Sequence, residues 1–177
     1  MNISPLKTKQ SGAVLIISLI MLILLTLIAV TGMQSTGLEE KMAGNTKDHN
    51  VAFQAAETAL RGAENYLDGL VTLADFADGT AGYLDEATND PDYQSSSSWS
   101  TANSAQYISG LSGIKSEPRY IIKFVSVQND DPNATLNTSN YGSTAGTSVT
   151  IFRVTSRGTG GADSSQVILQ TYYGKRF

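Results

Sequence analysis

From Ala13 to Val30 the chain reads AVLIISLIMLILLTLIAV, an apolar run broken only by the uncharged Ser18 and Thr26. No charged residue stands between Lys9 and Glu39. A hydrocarbon core of about 30 Å takes roughly 20 apolar residues at about 1.5 Å each, so the run is long enough to cross a bilayer as a helix. A cleaved secretory signal and a buried core helix are the rival readings. A secretory apolar region is shorter, about 7–15 residues, and ends at a small-x-small site. Here TGMQSTGLEEK carries the helical pattern onward instead. Lys7 and Lys9 precede the run and Glu39 and Glu40 follow it, which keeps the short N-terminus cytoplasmic and exports the rest.

Past the apolar run the period remains helical. Phe53, Ala56, Leu60, Ala63, Leu67, Leu70 and Ala74 recur at steps of three and four and define one narrow apolar face. Glu57, Arg61 and Glu64 lie off this face at spacings that support a helix. The pattern predicts one helix from about Ala13 to about Leu70, roughly 80–90 Å long, with an amphipathic half over 39–74. Gly32, Gly37 and Gly44 are its weak points, each costing about 1 kcal/mol relative to Ala. They read either as tolerated irregularities or as places where the helix can stretch or melt.

After Asp75 the pattern changes. Residues 78–106, DGTAGYLDEATNDPDYQSSSSWSTANSAQ, show no sustained period and read as a surface excursion, with Ser95–Ser98 and Trp99 as a disordered loop holding one anchoring aromatic. Three β-like runs follow: Tyr120–Val127, Ser148–Ser156 and Gln166–Tyr173. In the second, Val149, Ile151 and Arg153 face away from Phe152 and Val154; in the third, Val167 and Leu169 face away from Gln166 and Ile168. RGTGGADSS between these two reads as a hairpin loop. The expected architecture is α+β, an antiparallel meander packed against the apolar face of one long helix.

Composition narrows the function. With 177 residues, 41% hydrophobic, 16% charged and a net charge of -4, the chain is neither a multi-span membrane protein nor fully disordered. Its acidity argues against nucleic-acid binding by phosphate neutralisation. Without cysteine it has no disulfide, thiolate zinc site or cysteine nucleophile. Gly158, Gly160 and Gly161 resemble a phosphate-cradling loop, but they lie between two strands with no helix to follow, and a turn is the better reading. His49, the single histidine, has no neighbouring nucleophile or second ligand in sequence. Asp85, Glu86, Asp90 and Asp92 form one oxygen-rich cluster, and Asn129, Asp130, Asp131 and Asn133 another. Calcium favours such ligands, but neither matches the EF-hand spacing, so both read as solvated loops. Asn133-Ala134-Thr135 fits the glycosylation triplet and carries no weight without a eukaryotic secretory context. No residue set points to an enzyme, a metal or a cofactor.

A short basic leader ending KTKQSG, followed by an apolar run that becomes an amphipathic helix, resembles a type IV prepilin. The stretch from QSGAV to RGAE resembles the N-terminal region of the PilX family, minor pilins of the type IV pilus. The specific portion includes Met33, Gln34, Glu39, Glu40, Met42, Ala43, Gly44, Asn45, Phe53, Gln54, Ala55, Ala56 and Glu57. FRVTSRGTGGADSSQVILQTYY resembles the close of that family's globular domain, while 75–116 carries no resemblance. By this likeness Gly12 is the last leader residue, and Ala13 is the mature, N-methylated N-terminus, where major pilins have Phe. Loss of Lys7 and Lys9 with the leader would leave ten basic against sixteen acidic side chains.

Where major pilins carry Glu at the fifth mature position, this chain has Ile17. A carboxylate at the bilayer centre costs about 2.5–3.5 kcal/mol unless a partner satisfies it. A subunit with nothing ahead of it lacks that partner, so the resemblance and Ile17 together imply a place at or near the pilus tip, in a priming complex supporting twitching motility or adhesion. The implied partners are other minor pilins and the major pilin, the prepilin peptidase and the inner-membrane assembly platform, with a large tip adhesin as a further candidate. The chain would wait in the inner membrane with its head in the periplasm, then pass into the extracellular fibre. Leu15, Ile16, Leu19, Leu22 and Ile23 are the expected fibre-packing surface, with Phe53, Ala56, Leu60, Ala63 and Leu67 on the second half of the helix. A tip-type pseudopilin of type II secretion and a membrane-anchored periplasmic binding domain remain the alternatives.

Overall fold

The computed structural model describes residues 12–77, 80–129 and 148–177. The chain divides into two compact units, Met1–Gly44 and Asn45–Phe177. A single helix, α1 (Ala13–Gly69), begins in the first and ends in the second.

In the first unit the large apolar side chains from Val14 to Val30 are all exposed, from 47% at Ile23 to 74% at Leu15. The segment is long and apolar enough to cross a membrane. Its hydroxyls need no water. Ser18 donates to the Leu15 carbonyl and Thr26 to that of Ile23, both at 2.8 Å, and Thr31 and Thr36 donate back to carbonyls one turn earlier. Each polar group is thus satisfied within the helix, as a hydrocarbon environment demands.

The second unit continues with α2 (Ala74–Ala77), β1 (Tyr83–Leu84), a 3₁₀ turn (Ser96–Trp99), β2 (Ala105–Gln106), β3 (Arg119–Asn129), β4 (Ser148–Thr159) and β5 (Gln166–Lys175). The three expected strands are present as the antiparallel meander β3–β4–β5, each longer than its pattern suggested. Two short strands add to the same edge of β3, β2 antiparallel and β1 parallel, so the five-stranded sheet is mixed.

Alternation then sorts the strands into two faces. On one face the cross-strand pairs Tyr120–Ser156, Ile122–Val154 and Phe124–Phe152 meet α1. Ala59, Ala63 and Leu67 of the helix, with Leu70 and Phe76 beyond it, complete the core. The helix contributes small residues here: its buried positions are Ala52, Ala55, Ala56, Ala59, Gly62, Ala63 and Leu67. Of the expected apolar face, Ala56, Ala63, Leu67 and Leu70 are buried and Leu60 packs half-buried against the core; Phe53 is 44% exposed, while Ala52, Ala55, Ala59 and Gly62 extend the buried face where the sheet backbone approaches closely. A Cβ on Gly158 would lie 2.2 Å from the Ala52 carbonyl oxygen and 2.3 Å from the Ala56 nitrogen, and one on Gly62 2.4 Å from the Tyr107 ring. Gly158, expected in a hairpin loop, is therefore a strand residue that brings β4 onto α1. The turn itself follows, closed where the Gly160 N–H donates to the Ser165 carbonyl at 2.8 Å.

The long helix ends at Gly69, one residue from the end expected near Leu70 though short of the 39–74 given to its second half, and Ala74 is exposed. Lys175 of β5 caps that end. Its ammonium donates to the carbonyls of Leu67 and Asp68 at 2.6 and 2.7 Å, occupying acceptors a further turn would need and placing a cation at the negative end of the helix dipole. Tyr173 donates to the Asp68 carboxylate beside it.

The other face of the sheet is covered too. The segment after β1, read from sequence as an irregular and partly disordered surface excursion, is ordered against it by specific bonds. Trp99 is 4% exposed and donates its Nε1–H to the Tyr93 carbonyl at 2.9 Å. Ser98 donates to the Asp92 carbonyl at 2.7 Å. Trp99 does anchor the segment, as expected, but the serines before it form the 3₁₀ turn.

Candidate functional site

Three surfaces carry the residues singled out by sequence. The first is the start of α1. The helix begins at Ala13, directly after the expected leader junction, and Gly12 has a φ of 72° while its carbonyl accepts from the Ile16 N–H at 3.4 Å. Ile17 is 60% exposed among other apolar side chains. Leu15, Ile16, Leu19, Leu22 and Ile23 are exposed as well, an apolar surface without cover among the described residues.

The second surface is the family-like stretch, whose residues split by environment. Met33, Gln34, Glu39, Glu40, Met42, Ala43, Gly44 and Asn45 are exposed. Ala55 and Ala56 are buried against Gly158, Phe53 and Gln54 are exposed, and Glu57 pairs with Arg61 at 2.7 Å. AFQAAE is thus in large part the seat for the sheet. Asp48, one turn earlier, accepts from the Gly161 N–H and so fixes the β4–β5 turn to the helix. His49 is exposed and lines a shallow depression with Asp48, Ala162 and Ser165.

The third is the acidic segment before the 3₁₀ turn. Asp85 accepts from the Thr88 N–H at 2.7 Å and from its hydroxyl, and those hydrogen bonds hold its carboxyl below the usual carboxylate range. Asp92 accepts from the Gln94 N–H at 2.9 Å. Asp90 reaches across to the sheet, where it takes a hydrogen bond from Arg153 and one from Lys123 at 3.0 Å. Those two bonds hold its carboxyl low. The oxygens considered for calcium are therefore occupied by turn and clip contacts, and Glu86 is exposed. No group of three or more His, Asp or Glu arranged to hold a metal occurs among the described residues. Asp130, Asp131 and Asn133 of the second cluster lie outside them.

Elsewhere in the head, Tyr66 donates to Asp75, and burial first, then that bond, pushes its phenol up to about 12. Tyr83 and Tyr120 share a hydrogen bond at 3.3 Å, and burial raises both. These groups cross-link elements of the core.

Sequence reasoning missed the Asp90 clip and the alanine–glycine seat. Each had a signal: Lys123 and Arg153 sit in strands that needed a counter-charge, and Ala52, Ala55, Ala59 and Gly62 recur at steps of three and four beside the larger residues that drew attention.

A long N-terminal apolar helix whose second part packs on a small sheet, with the exposed part able to enter a membrane, is the arrangement of a pilin-like subunit. Two family comparisons make the assignment specific. PilX N-terminal matches residues 11–61, and Type IV pilus assembly protein PilX C-term matches residues 80–175. The chain belongs to the PilX family of type IV pilus assembly proteins, a family of pilus components and not of enzymes. No curated protein and no solved structure matches it.

Proposed function

We propose that this protein is a minor pilin that takes its place at or near the pilus tip, in a small complex that primes fibre assembly. The observation carrying the reading is the bare apolar surface from Val14 to Val30, which water would not support and which only lipid or packed helices can cover. Before assembly the helix lies in the inner membrane and the head in the periplasm. In the fibre the same side chains exchange lipid for neighbouring subunits, with Leu15, Ile16, Leu19, Leu22 and Ile23 at the contact. Prepilin peptidase cuts between Gly12 and Ala13, and Ala13 is then methylated. Ile17 in place of a carboxylate suits a subunit with no amine ahead of it to satisfy a charge.

Sequencing the mature N-terminus tests the processing. The expected result is a chain beginning at methylated Ala13 only where the peptidase is present; an intact Met1 in all strains overturns the pilin reading. Site-specific cross-linking in intact pili tests position. Recovery evenly along the shaft, in place of enrichment with other minor pilins, overturns the tip placement.

A further inference from the structure

The sheet face covered by the segment 85–104 carries two cationic rungs. Lys123 of β3 lies opposite Arg153 of β4, and Arg119 lies opposite Arg157. Between them sits the buried pair Ile121 and Thr155, each 1% exposed. Like charges directly opposite on a sheet destabilise it unless a counter-charge intervenes. At the first rung the chain provides one, since Asp90 accepts from both cations.

At the second rung the described residues provide none. Arg119 is held by neutral acceptors, its Nε donating to the Ser104 hydroxyl at 2.7 Å, its Nη2 to the Ser104 carbonyl at 2.9 Å and its Nη1 to the Gln106 side-chain oxygen at 3.4 Å. Arg157 donates to the Gln166 side chain at 3.1 Å and stands 6.0 Å from the centre of the Trp99 ring. Neither takes part in an ion pair among the described residues. Burial, and then the facing Arg157, pull Arg119 below the usual guanidinium value. The two arginines open on a cleft of about 180 Å³ completed by Trp99, Ser116, Glu117 and Thr159. Glu117 is engaged elsewhere, accepting from the Ser109 N–H and hydroxyl at 3.0 Å. Asp163 accepts from the Ser116 hydroxyl at 3.4 Å.

We infer that the Arg119–Arg157 rung is a docking site for a carboxylate side chain of a neighbouring pilus subunit, which bridges the two guanidinium groups as Asp90 bridges the rung beside it. A guanidinium has five N–H donors, so Arg119 and Arg157 each keep donors beyond those engaged and can bridge one carboxylate by charge-assisted bonds, with Trp99 lining the cleft. The identity of the neighbour as a pilus subunit rests on the function proposed above; the carboxylate site does not.

The full chain in detergent micelles, labelled at the arginine side-chain nitrogens, can be titrated with blocked hexa-aspartate, acetate and inorganic phosphate. Saturable shifts of the Arg119 and Arg157 Nε–H signals are expected, with the peptide binding about tenfold more tightly than either small anion and Arg61 unmoved. Arg157→Gln should abolish the shift at Arg119, and Arg157→Lys should keep part of it. Absence of saturation, equal movement of Arg61, or phosphate binding as tightly as the peptide, meaning a free-anion site only, overturns the proposal. In cells, Arg157→Glu should lower recovery in sheared pili several-fold against the processed membrane pool, and unchanged recovery overturns the docking. If the unaltered processed chain is itself absent from pili, the pilus reading fails while the titration still decides the carboxylate site.

Discussion

Between Val14 and Val30 α1 displays leucine, isoleucine, valine and methionine side chains, all of them exposed; between Ala52 and Ala63 its buried positions are alanine and glycine. The second stretch has to meet the β4 backbone; the first has no cover among the described residues and is long and apolar enough to cross a membrane. The β4 backbone is rigid, and at Gly158 it leaves no room for even one extra carbon. The glycines divide in the same way: no atom within 4 Å would meet a Cβ on Gly32, Gly37 or Gly44.

The sharpest way to break this contrast is to enlarge the seat. Gly158→Leu should destabilise the head by about 3 kcal/mol or more, read by urea unfolding, whereas Gly37→Leu should leave that transition in place. On the lipid side, Leu22→Lys should weaken membrane insertion by about 2.5–3.5 kcal/mol, measured as loss from the membrane fraction, with the unfolding midpoint of the head unchanged. Lys175→Met removes the cation from the last helix carbonyls and should cost about 1–2 kcal/mol, with faster amide exchange at the end of α1.

Smaller still is the Asp90 clip. A carboxyl held low in the folded head contributes stability above its unfolded pKa of about 3.9 and loses it as pH falls through the folded value. Acidification below about pH 4 should therefore loosen the segment 85–104, with Asp85 and its Thr88 contacts giving way in the same window. The single tryptophan, Trp99, reports this as a red-shifted emission. Because Asp90 is 45% exposed, the effect should stay below about 1 kcal/mol, and Asp90→Asn should flatten it.

Sequence pattern carried the long helix and the three main strands because each rests on local periodicity. Placing the helix start at Ala13 needed only the apolar run. Its end near Leu70 also followed from the pattern, one residue from Gly69, whereas the Lys175 contact that caps it comes from more than a hundred positions away and has no local signal. Phe53 drew attention as a large apolar residue at helical spacing, but the face that packs was chosen by Gly158, which looked like a turn residue. The segment 85–104 is low in apolar content, and its order comes from hydroxyl, amide and carboxylate bonds that composition does not display.

The alanine–glycine seat has an entropic side. Alanine and glycine have no rotamers to freeze, so joining α1 to β4 loses almost no side-chain freedom. What it gains is dispersion between closely opposed backbones, and a gap of about 0.5–1 Å already forfeits a quarter to a half of each contact. Such a joint has a short range. A shift of β4 by that distance should therefore undo the seat, while the Leu67 packing and the Lys175 contacts farther along α1 still hold.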